Sequence, residues 1–361
     1  MKSFNEKLRD RTIRHMLFLE QLKTAQSNAI LKVYEDEIIP GLIDRLRVRL
    51  ARIEDFGFDR GAATTKRIEQ MVEELSAITN QFKDVKNGVQ GELFDLIDDE
   101  VKWQMGVIRE ELNFNLQFDV PPPETVRQIV MSKPFDGHTL EHWFETLAAG
   151  TQRRLGQTIQ RGVVEGLNTE QIVSTVRGTA ALGYTDGILN TTRAQTQAII
   201  HSAIQHATNQ ARVALFTDNE DMIDGVQWVA TLESRTCLQC SPLDGKVFSV
   251  GEGVRPPLHL RCRCAVVAVL KSWEDLGIDA EELTPGMRAS VNGQVPSTIT
   301  YPEWLKTQPR GVVEDALGVK KSKLFLDGDL KLTSFVTNHR KELTLDQIRK
   351  REAGAFARAG L

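Results

Sequence analysis

All four cysteines of the chain fall between positions 237 and 264, as Cys237-Leu238-Gln239-Cys240 and then His259-Leu260-Arg261-Cys262-Arg263-Cys264. A Cys-x-x-Cys step bends into a tight loop that aims both sulfurs at one ion. Cys262 and Cys264 are two apart, so on an extended chain they share a face while Arg263 points away. Cys237, Cys240, His259, Cys262 and Cys264 thus offer five ligands to an ion that usually takes four, and zinc stabilises the thiolates of such a set. With every position supplied by protein, the expected Zn2+ is structural, not catalytic. Two other readings of the same residues are reduced cysteines packed without metal and a nucleophilic cysteine paired with His259. The second lacks an orienting third group.

Other residues could carry chemistry. His138-Thr139-Leu140-Glu141-His142 matches the His-x-x-Glu-His order of one zinc-peptidase class. The turn residues Asp136-Gly137, however, place His138 at a helix start, and no third ligand is identifiable. Lys246, Arg255, Arg261 and Arg263 make the cysteine segment basic, and Lys320, Lys321 and Lys323 form a second basic group, with Arg349, Lys350 and Arg351 beyond. Either group could meet phosphates in a sequence-independent, salt-sensitive way, or be a solvated face. Asp218, Glu220, Asp221 and Asp224 are acidic and lie just before the cluster.

The elements that must position these residues are mostly helical. A chain of 361 residues can bury two or three cores. Its hydrophobic content of 41% and charged content of 26% are those of a globular protein. A net charge of −4 gives no chain-wide attraction to nucleic acid. The longest apolar run, Cys264 to Leu270, is far short of the ~20 residues that cross a bilayer, so no membrane partner is expected. A charged amino terminus without an apolar h-region implies a reducing compartment, which favours metal over disulfides.

Leu42, Leu46, Leu50 and Ile53 recur at helical spacing, as do Ile68, Val72, Leu75, Ile78, Phe82 and Val85. Pro40-Gly41 is expected to break the first helical run. Pro121-Pro122-Pro123 reads as a stiff boundary. Beyond it, Leu140, Phe144 and Leu147, then Leu155, Ile159 and Val163, form helical stripes, with Gly166 as C-cap. Asn168 with Gln171 forms a capping box, and Thr192 with Gln195 predicts a second helix start ahead of Ala203, Ala207, Ala211 and Leu215. Gly225–Leu232 and Ala265–Leu270 are β-prone and bracket the cluster. Pro242–Gly245 predicts a turn, Val254–Pro257 an extended loop, and Asp327-Gly328 a hairpin.

The fold class expected is mainly α with a small α+β Cys/His module. The segments are an N-terminal helical region at 1–118, a bundle or a partner contact; a central helical part at 124–216; the β-containing module at 217–273; and a C-terminal extension of short helices and a hairpin at 274–361.

Three stretches together, Trp228 through Cys240 with Glu233-Ser234-Arg235-Thr236 inside it, Leu243-Asp244-Gly245-Lys246, and Pro256-Pro257-Leu258-His259 through Cys264, resemble the MuF-like head morphogenesis proteins of tailed bacteriophages. Asn209-Gln210-Ala211-Arg212 sits where that family has a helix, and Tyr301–Gln308 looks like its common extension, so the likeness runs over roughly residues 130–350. Glu233 stands where aspartate is usual, and Leu260 where proline is frequent. The resemblance implies a minor head protein of the virion, present in few copies inside the capsid near the portal vertex and in the host cytoplasm during assembly. Its partners would be the portal protein, other head or scaffold proteins and packaged double-stranded DNA. Its task would be head assembly and DNA packaging or delivery, with no enzymatic activity. Readings from other classes are a virion-carried zinc enzyme or toxin-like effector, and a non-specific DNA-binding zinc module.

Overall fold

The computed structural model describes residues 4–55, 66, 68–73, 81–111, 117–272, 274–276 and 287–361. Helix α1 (Phe4–Val33) runs through a π-helical turn at Tyr34–Ile38 into α2 (Ile39–Asp55). Then come α3 (Gln81–Glu111), α4 (Pro123–Ser132), α5 (Leu140–Glu165), α6 (Thr169–Arg177) and α7 (Ile188–Thr217). Strands β1 (Ile223–Val229), β2 (Val247–Phe248) and β3 (Ala265–Leu270) form an antiparallel sheet in the order β2-β1-β3. A hairpin of β4 (Met287–Ser290) and β5 (Gly293–Pro296) follows, then short helices α8 (Tyr301–Lys306), α9 (Arg310–Leu317), α10 (Val319–Leu326), α11 (Leu345–Arg351) and α12 (Ala353–Arg358). The chain is mainly helical with a small β module that carries the cysteines, as the sequence predicts. Among the described residues no helix is long and apolar enough to cross a membrane.

Contacts group the chain into two compact units, each assembled from segments distant in sequence. One comprises Met1–Glu20, Ile97–Val130 and Gln205–Leu361; the other comprises Gln21–Leu96 and Met131–Ile204.

In the second unit the apolar stripes are buried as their spacing requires. Leu42, Leu46, Leu50, Ile53, Ile68, Phe82 and Val85 are all inside, and so are Leu140, Phe144, Leu147, Leu155, Ile159 and Val163. Val72 of the same stripe is only half-buried, and Leu75 and Ile78 lie outside the described residues. The two stripes after the prolines belong to one helix, α5, which ends at Gly166 in the left-handed conformation. The Asn168–Gln171 capping box opens α6 with both of its reciprocal bonds. Pro40-Gly41 does not break the helical path. Pro40 falls in the first turn of α2, where its missing N–H is tolerated, and the π turn just before it takes up the change of register. Thr192 does not cap a helix either: α7 starts earlier, at Ile188, and the buried Thr192 hydroxyl meets Thr151 and Arg154 instead.

The first unit packs α7 from Gln205 onward and the three-stranded sheet on the amino-terminal part of α1 and the later turns of α3, with Leu8, Ile108, Phe216, Val226 and Val267 in its centre. Pro123 begins α4, and the Pro122 carbonyl accepts from Thr125 and Val126. Strand β1 stops at Val229, short of the predicted Leu232, because the Ala230 N–H is taken by the Asp244 side chain. Asp327-Gly328 closes α10 rather than a hairpin: Gly328 and Leu330 donate back to Lys323 and Leu324. The hairpin lies earlier, at β4–β5, turning on Val291-Asn292 before Gly293.

One buried ion pair fixes the helix packing here. Arg212 Nε donates to Glu100 Oε1 at 2.6 Å, with side-chain exposures of 1% and 0%. His15 Nε2 lies 2.7 Å from the other oxygen, and its ring stacks on Trp103 at 3.7 Å. Burial alone would push Glu100 up; Arg212 and His15 overcome that and hold the carboxyl below its ordinary range. With its folded pKa depressed, Glu100 contributes stability above the unfolded carboxylate value of about 4.3. That contribution is lost as pH falls through the folded value. Thermal midpoints of the wild type are expected to drop once the pH goes below about 4.5. Glu100→Gln should already be destabilised near neutrality by about 3–5 kcal/mol, since it strands a buried arginine, and should show a shallower acid dependence.

Candidate metal centre

Two similar turns present the ligands. Cys240 and Ser241 N–H donate to the Cys237 carbonyl, closing the first; Cys262 N–H donates to the His259 carbonyl, closing the second. Arg261 takes φ +61° in the second turn, a conformation that suits a turn with a rigid residue before it. That is the place where Leu260 stands for the proline usual in the MuF-like pattern. The Pro256–Pro257 peptide is cis. Arg255 folds the preceding loop back by donating to the Ser249 and Val250 carbonyls at 2.7 and 2.9 Å.

The five predicted ligands converge. Ligand atoms of Cys237, Cys240 and His259 lie within 4.8 Å of one another, and so do those of Cys240, Cys262 and Cys264, with Cys240 common to both groups. Cys240 Sγ is 3.5 Å from His259 Nε2 and 3.8 Å from Cys262 Sγ, and Cys237 Sγ is 3.1 Å from Nε2. A tetrahedral zinc site with Zn–S of ~2.3 Å and Zn–N of ~2.0 Å has edges of about 3.8 Å between sulfurs and about 3.5 Å from sulfur to nitrogen. Two of the three separations have those lengths, so the donor set and its spacing can hold a metal ion. His259 Nδ1 lies 2.8 Å from the Leu260 carbonyl, which fixes the ring with Nε2 toward the sulfurs.

The cluster's electrostatics are those of crowded sulfurs around one imidazole. Cys237 is pulled down to about 5 by Cys240 and, against burial, by His259. Cys262 is lowered by Cys240 and Cys264. Cys240 is raised by the neighbouring Cys237 and Cys262. Cys264 is drawn down by Cys240, but Cys262 and burial outweigh this and raise it. His259 is raised to about 11 by Cys237 and Cys262. A cation among the sulfurs would favour the thiolate form of all of them.

Residues outside the cluster hold it in place. Gln205 and Asn209 on α7 donate to the Cys264 carbonyl at 2.5 and 3.3 Å. Asn209 also accepts from Val266 N–H, and Arg212 donates to the Val266 carbonyl. The outer edge of β3 is therefore covered by one polar stripe of α7, Gln205, Asn209 and Arg212. Arg263 points away from Cys262 and Cys264, as its spacing predicts, and pairs with Glu233 at 2.5 Å. Glu233 also binds Arg235, and Thr236 closes this turn onto the Thr231 carbonyl.

Asp244 is the hub. It accepts from Ala230 N–H at 2.8 Å and Tyr301 N–H at 2.7 Å, and it pairs with Arg288 at 2.9 Å. Arg288 in turn donates to the Ala230 and Ile299 carbonyls. Tyr301, whose phenol burial pushes up, donates from its hydroxyl to the Glu233 carbonyl. In the sequence Asp244 stands out as a turn residue within one of the stretches that resemble the MuF-like pattern, and Arg288 carries no mark. The Gln205, Asn209, Arg212 stripe at i, i+4, i+7 was a readable signal.

The basic residues are placed unevenly. Lys246 and Arg261 are exposed, and Arg255 and Arg263 make the contacts described above. Lys320 is exposed, Lys323 is half-buried, and Lys321 pairs with Glu342. His138 and His142 lie together, with ring centroids 4.4 Å apart, both exposed. They are not among the ligand groups found in the described residues, which are formed by the cysteines and His259.

The fold and site define a helical protein with a small antiparallel sheet built around a buried Cys/His cluster. Residues 153–267 match the family described as Phage Mu protein F like protein, which is the family that the cysteine motifs resemble. The match supports a phage head-related protein, and a phage head family implies the virion. The match ends at residue 267, before Tyr301–Gln308. No curated protein and no solved structure matches the chain.

Arg288→Ala leaves Asp244 buried with its largest partner gone, at side-chain exposures of 2% for the arginine and 1% for the aspartate. A loss of about 3–5 kcal/mol is expected in denaturant unfolding. Asp244→Asn with Arg288→Met together should cost less than Arg288→Ala alone.

Proposed function

We propose that the protein is a structural, low-copy component of a phage head, placed inside the capsid near the portal, where it assists head assembly and DNA packaging or delivery. The observation that carries this reading is the Mu F-like match over residues 153–267, which takes in the two ligand-bearing turns, α7 and most of the sheet. In this reading the Cys/His cluster binds zinc through four of the five donors Cys237, Cys240, His259, Cys262 and Cys264. Zinc would supply charge neutralisation and a cross-link between the two turns.

Five protein donors for a four-coordinate ion leave no position that the reading assigns to water, so the site holds structure and the protein is not an enzyme. The portal protein and other head proteins are its proposed partners. Exposed Lys246, Arg261 and Lys320 are its proposed points of contact with packaged double-stranded DNA.

Purified particles test the placement. The chain should be present in substoichiometric amount relative to the major capsid protein and should co-purify with the portal after mild disruption. Its absence from particles would refute the proposal. Metal analysis of reduced protein should give about one zinc per chain. His259→Ala and Cys240→Ser should lose the metal and lower the melting temperature, and chelator should reproduce that shift in the wild type. Well under one zinc per chain, with no effect of chelator, would end the zinc reading alone.

A further inference from the structure

Away from the cysteines, within the second compact unit, a ten-residue loop joins α6 to α7. It is closed on itself. Asp186 accepts from Thr179 N–H at 2.8 Å and from its hydroxyl at 3.0 Å. Gly187 packs so tightly on the backbone of Arg177 and Gly178 that a Cβ would sit 2.2 Å from the Arg177 carbonyl carbon. Asn190 donates to the Thr185 carbonyl at 3.0 Å. This framework holds Tyr184 in the left-handed region, at φ +60°, a conformation that glycine adopts freely and tyrosine does not. The side chain so displayed is only partly covered: it remains 40% exposed.

Tyr184 faces a cation. The Arg177 guanidinium lies 4.4 Å from the centre of its ring. No carboxylate among the described residues pairs with Arg177. The two line a cavity of about 470 Å³, within the range of small-ligand sites. Ile39 and Leu189 give the cavity an apolar wall, and Arg193 and Glu35 join it as an ion pair. That pair engages Arg193 through Nε, so its terminal N–H groups remain as donors. The lining thus carries two guanidiniums against one carboxylate, a ring able to stack, and apolar surface.

We infer that this cavity binds a nucleotide-sized phosphate ester, with its planar ring against the Tyr184 and apolar side and its phosphate on Arg177 and Arg193. A bare anion would leave the aromatic and apolar wall unused, and an uncharged aromatic would leave the unpaired guanidinium unused. The ligand could be a free nucleotide or the phosphorylated end of a strand, since both present the same chemistry. A tyrosine kept where glycine would be easier is the observation that points to binding rather than to loop closure.

Calorimetric titration of the full-length protein with dAMP, deoxyadenosine and inorganic phosphate tests the site. A 5′-phosphorylated oligodeoxynucleotide and its 5′-hydroxyl counterpart serve as further arms. Saturable binding of dAMP is expected, at least tenfold tighter than deoxyadenosine or phosphate. Preference for the 5′-phosphorylated strand over dAMP would assign the ligand to a strand end; the reverse would assign it to the free nucleotide. Arg177→Gln and Tyr184→Gly should each weaken binding at least tenfold. No dAMP or strand-end binding at millimolar concentration would overturn the proposal. So would phosphate binding as tightly as dAMP, or affinity unchanged in either variant.

Discussion

The cysteine module depends on one buried carboxylate. Asp244 and Arg288 are withdrawn from water together, and charges so placed cost several kcal/mol each unless every lone pair and proton is met. Asp244 meets that demand with two backbone N–H groups and a guanidinium; Arg288 meets it with Asp244 and two carbonyls. These bonds leave little freedom. They stop β1 at Val229, set the β4 strand against the end of β1, and start α8 at Tyr301. Because Asp244 closes the short turn that follows Cys240, the position of that sulfur follows from the same pair.

The other half of the ligand set is fixed from the opposite side. Gln205, Asn209 and Arg212 cover the free edge of β3 and the Cys264 carbonyl, and Arg212 is held in turn by Glu100. An uncovered strand edge is a row of unmet donors and acceptors, so side chains from one helix serve as a substitute strand. Crowding of the sulfurs opposes ionisation, as the raised Cys240 and Cys264 show, so the sulfurs by themselves do not draw these turns together. Two buried polar networks bring them within ligand distance, and a metal would then join what the scaffold has already placed.

Much of this was legible in the sequence where a period or a spacing carried it. The stripes of α2, α5 and α7, the caps at Gly166 and Asn168, the buried β3 run and the convergence of Cys237, Cys240, His259, Cys262 and Cys264 all follow from local rules. The expectations that failed depended on distant partners. Pro40 looked like a break because its π turn has no sequence mark. Thr192 has the residue type of a cap but is buried against Thr151 in another helix. Asp327-Gly328 and Asn292-Gly293 are equivalent hairpin signals in isolation; only the second is flanked by segments that pair. The interleaving of the two units was equally hidden, since no composition shift marks residues 20, 97, 130 or 205.

The residues that resemble the MuF-like pattern acquire a common physical meaning. Glu233 pairs with Arg263, Thr236 closes the turn before Cys237, Asp244 anchors Ala230 and Tyr301, and Asn209 holds β3. Each is a scaffold contact made by a buried or half-buried residue. A motif composed of scaffold contacts identifies a fold, and its likeness in another chain carries over architecture before it carries over chemistry. The longer reach of Glu233 fits this, because an ion pair to Arg263 needs the charge more than a fixed side-chain length. What such a protein recognises must then be decided by groups outside the motif, on exposed loops that the scaffold holds rigid. The α6–α7 loop has that character: its ends are locked by Asp186 and Gly187, and the side chain that it strains to display belongs to none of the cysteine-segment contacts.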